Sequence, residues 1–183
     1  MRPLFWLQKR KYGEILSSAL VWARSPKLFL ALSGLYGALD RKSSPIDPAL
    51  RALITVRVSQ INNCEFCIDI NSSLLLKRGV TLAKVKALSE WKKSKLFNSR
   101  EKAALEYAEL VTITKSKIKD VTFDTLKTYF NDDEIVELTG LIAFQNMSSK
   151  FNASLDIPSQ GFCAVPAPHK LGARNTKKKR AKR

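Results

Sequence analysis

The segment Asn62-Asn63-Cys64-Glu65-Phe66-Cys67-Ile68-Asp69-Ile70-Asn71 constrains this chain more than any other. Two thiols three residues apart share one face of a helix, because that spacing makes side chains neighbours. Asn63 offers an N-cap, and Gly79, behind Lys77-Arg78, offers a C′ stop. Together they predict a helix of about four turns with both cysteines at its start. The positive end of the helix dipole lowers the pKa of a thiol placed there, and the thiolate is the nucleophile. The residues alone leave three readings open: redox chemistry, inert packing of two small buried side chains, and metal ligation.

Length and composition narrow the field. The chain has 183 residues, 45% hydrophobic and 26% charged, which suits one globular domain with a core of its own plus a tail. Its net charge of +16 is unevenly placed: Lys170 to Arg183 holds 8 Lys or Arg and no acid, half of the excess. Three cysteines do not make a disulfide framework. A CxxC pair plus Cys163 fits a reducing compartment, so a cytoplasmic location is expected. The most apolar run, Leu28 to Leu39, is interrupted by Ser33, Gly34 and Gly37 and is too short to span a bilayer. The start of the chain lacks the apolar stretch of a signal peptide.

Taken in order, the pattern is helical throughout. Residues 1–13 read as an irregular basic lead-in. Short helices are expected from Glu14 to Arg24 and from Lys27 to Leu39. Asp47-Pro48 supplies an N-cap with Pro at the first helical position, followed by apolar residues at Leu50, Leu53, Ile54, Val58 and Ile61. Thr81 caps a segment running to Trp91. Asn98 with Glu101, and Asn131 with Glu134, have capping-box spacing for two further helices, the second ending near Ile157-Pro158. Another helix is expected from Thr122 to Phe130. Asp132, Asp133 and Glu134 read as dipole complements in a first turn rather than as an acid–base or metal cluster. No glycine-rich loop to cradle phosphate is present, and no cofactor is implied. The expected organisation is all-α, a helical bundle in three parts: the lead-in, residues 1–13; a helical CxxC domain, residues 14–158; and an extended segment with a basic disordered tail, residues 159–183.

Three stretches carry a resemblance. They are Leu53-Ile-Thr-Val-Arg-Val-Ser-Gln-Ile-Asn-Asn-Cys-Glu-Phe-Cys-Ile-Asp-Ile-Asn71, Glu137-Leu-Thr-Gly-Leu-Ile-Ala-Phe-Gln-Asn146 and Lys150-Phe-Asn-Ala-Ser-Leu-Asp-Ile-Pro158. Tyr12-Gly13 and Ser25-Pro26 support them. From about Tyr12 to Pro158 the chain resembles the carboxymuconolactone decarboxylase and alkylhydroperoxidase-D family. The resemblance implies an all-helical fold and homo-oligomers, often trimers or hexamers. For the family's peroxidase branch it implies that Cys67 attacks a hydroperoxide and becomes a sulfenic acid. Cys64 then resolves it to a disulfide, which a dithiol partner such as a lipoyl protein or thioredoxin reduces. Two positions depart from that branch. Its Glu twelve residues before the first Cys is Ala52 here, and its His four residues after the second Cys is Asn71. Asn71, one turn from Cys67, has an amide to offer a thiolate but cannot take a proton. Lys150 stands where the family has an Arg. The decarboxylase branch works without a redox pair, so the CxxC motif points away from it.

A thiol-dependent oxidoreductase, or weak hydroperoxide reductase acting on a hydroperoxide or disulfide, is therefore the leading expectation. Its rival is a catalytically reduced family member acting as an oligomeric binding protein, its basic tail in weak contact with nucleic acid or an anionic surface. The tail has no interleaved aromatics, which argues against sequence-specific reading. A zinc site from Cys64, Cys67, Cys163 and His169 has the right ligand count but loose spacing.

Overall fold

The computed structural model describes residues 2–113 and 117–163. Among them every regular element is helical: α1 (Arg2–Tyr12), α2 (Ser17–Trp22), α3 (Pro26–Leu39), α4 (Pro48–Ile61), α5 (Glu65–Lys77), α6 (Leu82–Ala87) with a 3-10 extension (Leu88–Lys93), α7 (Ser99–Thr112), α8 (Asp120–Lys127) and α9 (Asp132–Ser154). None is long and apolar enough to cross a membrane.

The local signals account for most boundaries. Asp47 accepts the N–H groups of Ala49 and Leu50 at the start of α4, and Pro48 occupies the first turn. Both capping boxes form, Asn98 with Glu101 on α7 and Asn131 with Glu134 on α9. Gly79 takes φ +84° just past α5, the left-handed conformation that a helix stop favours. Of the acids at the start of α9, Glu134 closes the capping box and pairs with Arg100.

The largest correction lies at the N-terminus. Residues 1–13 do not form an irregular lead-in: Arg2–Tyr12 is helix α1, stopped at Gly13, whose φ of +86° ends it. Its basic residues spread over the exposed face, while Leu4 and Phe5 pack against Ala19, Trp22 and Phe29 of α2 and α3. The helix thus belongs to the same body as the rest. At the other end, residues 160–163 are docked against α5, as described below. His169 and the basic run from Lys170 lie outside the described residues.

Helix α4 occupies the centre and packs against α5, α7 and α9. Its fully buried Leu53, Ile54, Val56 and Val58 join Leu75, Leu88, Leu105, Leu138 and Ile142 in the main core. The β-branched residues of α4 suit this place because packing on all sides outweighs their weak helix propensity. Burying apolar side chains of this size stabilises the fold by about 1.5–3 kcal/mol each. Polar cross-braces tie the bundle. Glu109 of α7 accepts from Arg57 and from the Trp91 indole, and buried Arg51 donates to the carbonyls of Leu39 and Arg41.

Candidate active site

Helix α5 begins one residue later than the sequence suggests. Asn63 takes φ +50°, a left-handed conformation unlike the extended one of an N-cap, and makes the turn out of α4. Cys64 is the N-cap instead, and its Sγ accepts the backbone N–H of Cys67 at 3.2 Å. The cap places Cys64 and Cys67 one above the other, and their side chains share a hydrogen bond. Both sulfurs are buried, in a cluster with Phe66, Ile70 and Ile157 onto which Tyr12 and Phe162 pack.

The two thiols have different surroundings. At Cys64 the S–H of Cys67 donates to the sulfur and the Cys67 backbone N–H adds to it. These outweigh burial and bring the thiol below its ordinary value. Cys67 is pushed the other way by its hydrogen bond to Cys64, by burial and by the charge that develops on Cys64. The side-chain amides of Asn152 and Gln145 oppose that rise. Asn152 Nδ2 donates to Cys67 Sγ at 3.2 Å. Of the two, Cys64 is thus the first to ionise, with the Cys67 proton shared between the sulfurs in their hydrogen bond.

Cys67, unlike Cys64, lies on the wall of a cavity of about 340 Å³. Most of that wall is apolar and aromatic: Tyr12 of α1, Trp22 of α2, Phe29 and Tyr36 of α3, Phe66 of α5 and Phe144 of α9 all contribute. Trp22 is held in place by stacking on Phe151, ring centroids 3.5 Å apart. Asn71, Gln145 and Asn152 join Cys67 in the cavity lining, and Gln8, Lys11, Ser18, Ser33 and Ser148 complete its polar part.

Asn71 does share the cavity wall with Cys67, but its amide donates to Ser59 Oγ at 3.3 Å. Gln145 Nε2 donates to the same oxygen at 2.9 Å, and Ser59 in turn donates to the Thr55 carbonyl. Ala52 is buried in the core and lines, together with Asn71 and Gln145, a separate void of about 30 Å³. The two positions that depart from the peroxidase branch are therefore close together. Lys150 is exposed and does not line the cavity. Among the described residues no three His, Cys, Asp or Glu side chains converge as metal ligands.

Ser59, Gln145 and Asn152 escaped the reading of the sequence. Their signal was present: Gln145, Ser149 and Asn152 recur at helical spacing on the buried face of α9, a polar stripe inside an apolar environment. Asp69 was missed too. It is a buried carboxylate on α5 that accepts the backbone N–H groups of Gln160, Gly161 and Cys163. It thereby straps the segment after α9 against the CxxC helix, bringing Phe162 to Tyr12 with ring centroids 6.1 Å apart.

The chain has counterparts among known proteins. The protein YnjA of Escherichia coli K12 is 42% identical over 166 residues, 91% of each chain. The structure of ATU0492 from Agrobacterium tumefaciens, described as a putative antioxidant defence protein AhpD, is 28% identical with a TM-score of 0.72, covering 76% of this chain and 94% of that one. An alkylhydroperoxidase AhpD core protein from Ralstonia eutropha JMP134 superimposes with a TM-score of 0.80 at 21% identity, over 88% of this chain and 86% of its own, which speaks for the fold alone. The model of the carboxymuconolactone decarboxylase family matches residues 26–110, from the start of α3 into α7 and across the whole CxxC segment. With this sequence match and this helical core, the chain belongs to the carboxymuconolactone decarboxylase family.

Proposed function

We propose that the protein is a thiol-dependent oxidoreductase that reduces hydroperoxides by cycling a Cys64–Cys67 disulfide. The observation that carries this reading is the division of labour in the pair: Cys67 faces the cavity, while Cys64 is hydrogen-bonded behind it. With Ala52 and Asn71 in place of an ionisable relay, Cys64 is the base nearest to the attacking thiol. As Cys67 Sγ attacks the terminal oxygen of a hydroperoxide, its proton passes to the Cys64 thiolate along their existing hydrogen bond. The O–O bond breaks, Cys67 becomes a sulfenic acid, and the alkoxide leaves to take a proton from water. The amides of Asn152 and Gln145 stabilise the charge while it resides on Cys67. Cys64 then attacks the sulfenic sulfur, releasing water and closing the disulfide. A dithiol partner, itself oxidised to a disulfide, restores both thiols. The apolar cavity wall favours a hydroperoxide with an apolar body over hydrogen peroxide.

Titration of free thiols before and after one equivalent of cumene hydroperoxide tests this. Two thiols disappear per chain and return with dithiothreitol; Cys67→Ser abolishes the change, and Cys64→Ser leaves a sulfenic acid that dimedone traps. Three free, unmodified thiols after treatment overturn the reading. Assembly into a homo-oligomer belongs to the same proposal. Leu28 and Leu35, two turns apart on one side of α3, are about half exposed, and Phe29 is the one buried residue of that helix, which supports a second copy covering this face. Sedimentation of wild type against Leu35→Glu measures it.

A further inference from the structure

Asn152 carries a feature that the thiol chemistry does not use. Its side chain is buried at 2% exposure, yet Oδ1 has no hydrogen-bond donor. A buried amide oxygen without a partner costs about 1–3 kcal/mol and calls for an explanation. The orientation of the amide follows from the sulfur it touches. The amide presents Nδ2 to Cys67 Sγ at 3.2 Å, with the sulfur as acceptor. Oδ1 is then left over, one amide width from the sulfur, in a residue that lines the cavity with Cys67. The helix fixes it there: the Asn152 backbone carbonyl accepts the N–H of Ile157, and Ile157 packs into the cysteine cluster. Asn152 and Cys67 line the same cavity, so a ligand bound there lies against both residues.

We propose that Asn152 is a positioning and specificity residue whose Oδ1 accepts a donor hydrogen carried by the reacting end of the substrate while Nδ2 holds Cys67 Sγ. This rests on the reading of Cys67 as the attacking thiol. A hydroperoxide has such a donor on the oxygen that Cys67 attacks. An O–H held by Oδ1 keeps that oxygen beside the sulfur, with its apolar remainder directed into the aromatic part of the cavity. The same site disfavours electrophiles with no O–H or N–H, because they leave Oδ1 unpaired. The step remains the balanced one above: the S–O bond forms, the O–O bond breaks, and the hydrogen on the attacked oxygen stays with it as the sulfenic O–H.

The test compares two electrophiles on the reduced full-length protein, following modification of the Cys67 peptide by mass spectrometry. Cumene hydroperoxide has the donor; methyl methanethiosulfonate has none and reports thiolate reactivity alone. In Asn152→Ala both rates fall through loss of Nδ2, but the hydroperoxide rate falls further, lowering the ratio of the two by about tenfold, the scale of one hydrogen bond. Asn152→Asp, which keeps an acceptor oxygen and lacks the amide N–H, holds the ratio at or above the wild-type value. An unchanged ratio in Asn152→Ala overturns the inference. If that variant does not fold, a ratio in Asn152→Asp below wild type overturns it equally. Wild-type protein that reacts at Cys67 with the thiosulfonate but not with the hydroperoxide overturns the peroxide reading itself. The two failures are thus told apart.

Discussion

The carboxylate of Asp69 accepts the backbone N–H of Cys163 at 2.7 Å, linking the third cysteine to the helix that carries the other two. The same carboxylate receives Gln160 and Gly161, and Gln160 reaches on to accept the backbone N–H of Ser17. Asp69→Ala is expected to release this strap and to cost about 1.5–3 kcal/mol, the range for hydrogen bonds to a charged group. Denaturant unfolding measures the loss. A parallel rise in the rate at which Cys163 is alkylated reports the release. Unchanged Cys163 reactivity would show that Phe162, Ile157 and the Gln160–Ser17 hydrogen bond suffice to hold the strap.

The void shared by Ala52 and Asn71 is the place to rebuild an ionisable relay. Asn71→His puts a proton acceptor on the cavity wall, and general-base help of this kind is worth about 10²–10⁴-fold when complete. One restored member gives less than that range. Ala52→Glu alone is expected to destabilise the protein, because it forces a larger, charged side chain into a buried position. Together the two changes regain stability and raise the rate of Cys67 with cumene hydroperoxide above the product of the singles. Strict additivity in both melting temperature and rate would mean that positions 52 and 71 do not face each other.

The thiol pair makes a prediction about pH. Cys67 is held up by its hydrogen bond to Cys64, by burial and by the charge on that neighbour. Cys64→Ser removes the charge, so Cys67 in the variant ionises at lower pH than it does in wild type. The pH dependence of Cys67 modification by methyl methanethiosulfonate locates both midpoints. An upward move in Cys64→Ser would contradict the shared-proton description of the pair.

A second pH effect comes from Glu109, away from the site. Burial works to raise its pKa, but the Trp91 indole N–H and the Arg57 guanidinium outweigh it, with Lys92 adding, and hold the carboxyl below its ordinary value. A carboxyl depressed in the folded state contributes stability above its unfolded pKa of about 4.3, lost as pH falls through the folded value. Glu109→Gln should therefore destabilise the protein at pH 7 by about 1.5–3 kcal/mol, since Arg57 and Trp91 lose a charged acceptor. It should also flatten the acid limb of the stability curve. Melting curves between pH 3 and pH 7 measure both.

Much of this protein was written locally. The caps at Asp47, Asn98 and Asn131, the stop at Gly79 and the 3.6-residue periodicity of α4 and α9 each depend on a few neighbouring residues, so the helices and the all-α class could be read from the chain. The pairing of Cys64 with Cys67 was equally local, being one helical turn. The cavity was not. It takes side chains from α1, α2, α3, α5 and α9, and the basic start of the chain gave no sign that Tyr12 would reach the cysteine helix. Nor does any local pattern tell that Asn152, 85 positions from Cys67, donates to its sulfur, or that Asp69 holds Cys163. Those contacts arise from how α9 and the following strap cross α5, and a polar side chain declares its partner only once packing has removed water from its alternatives.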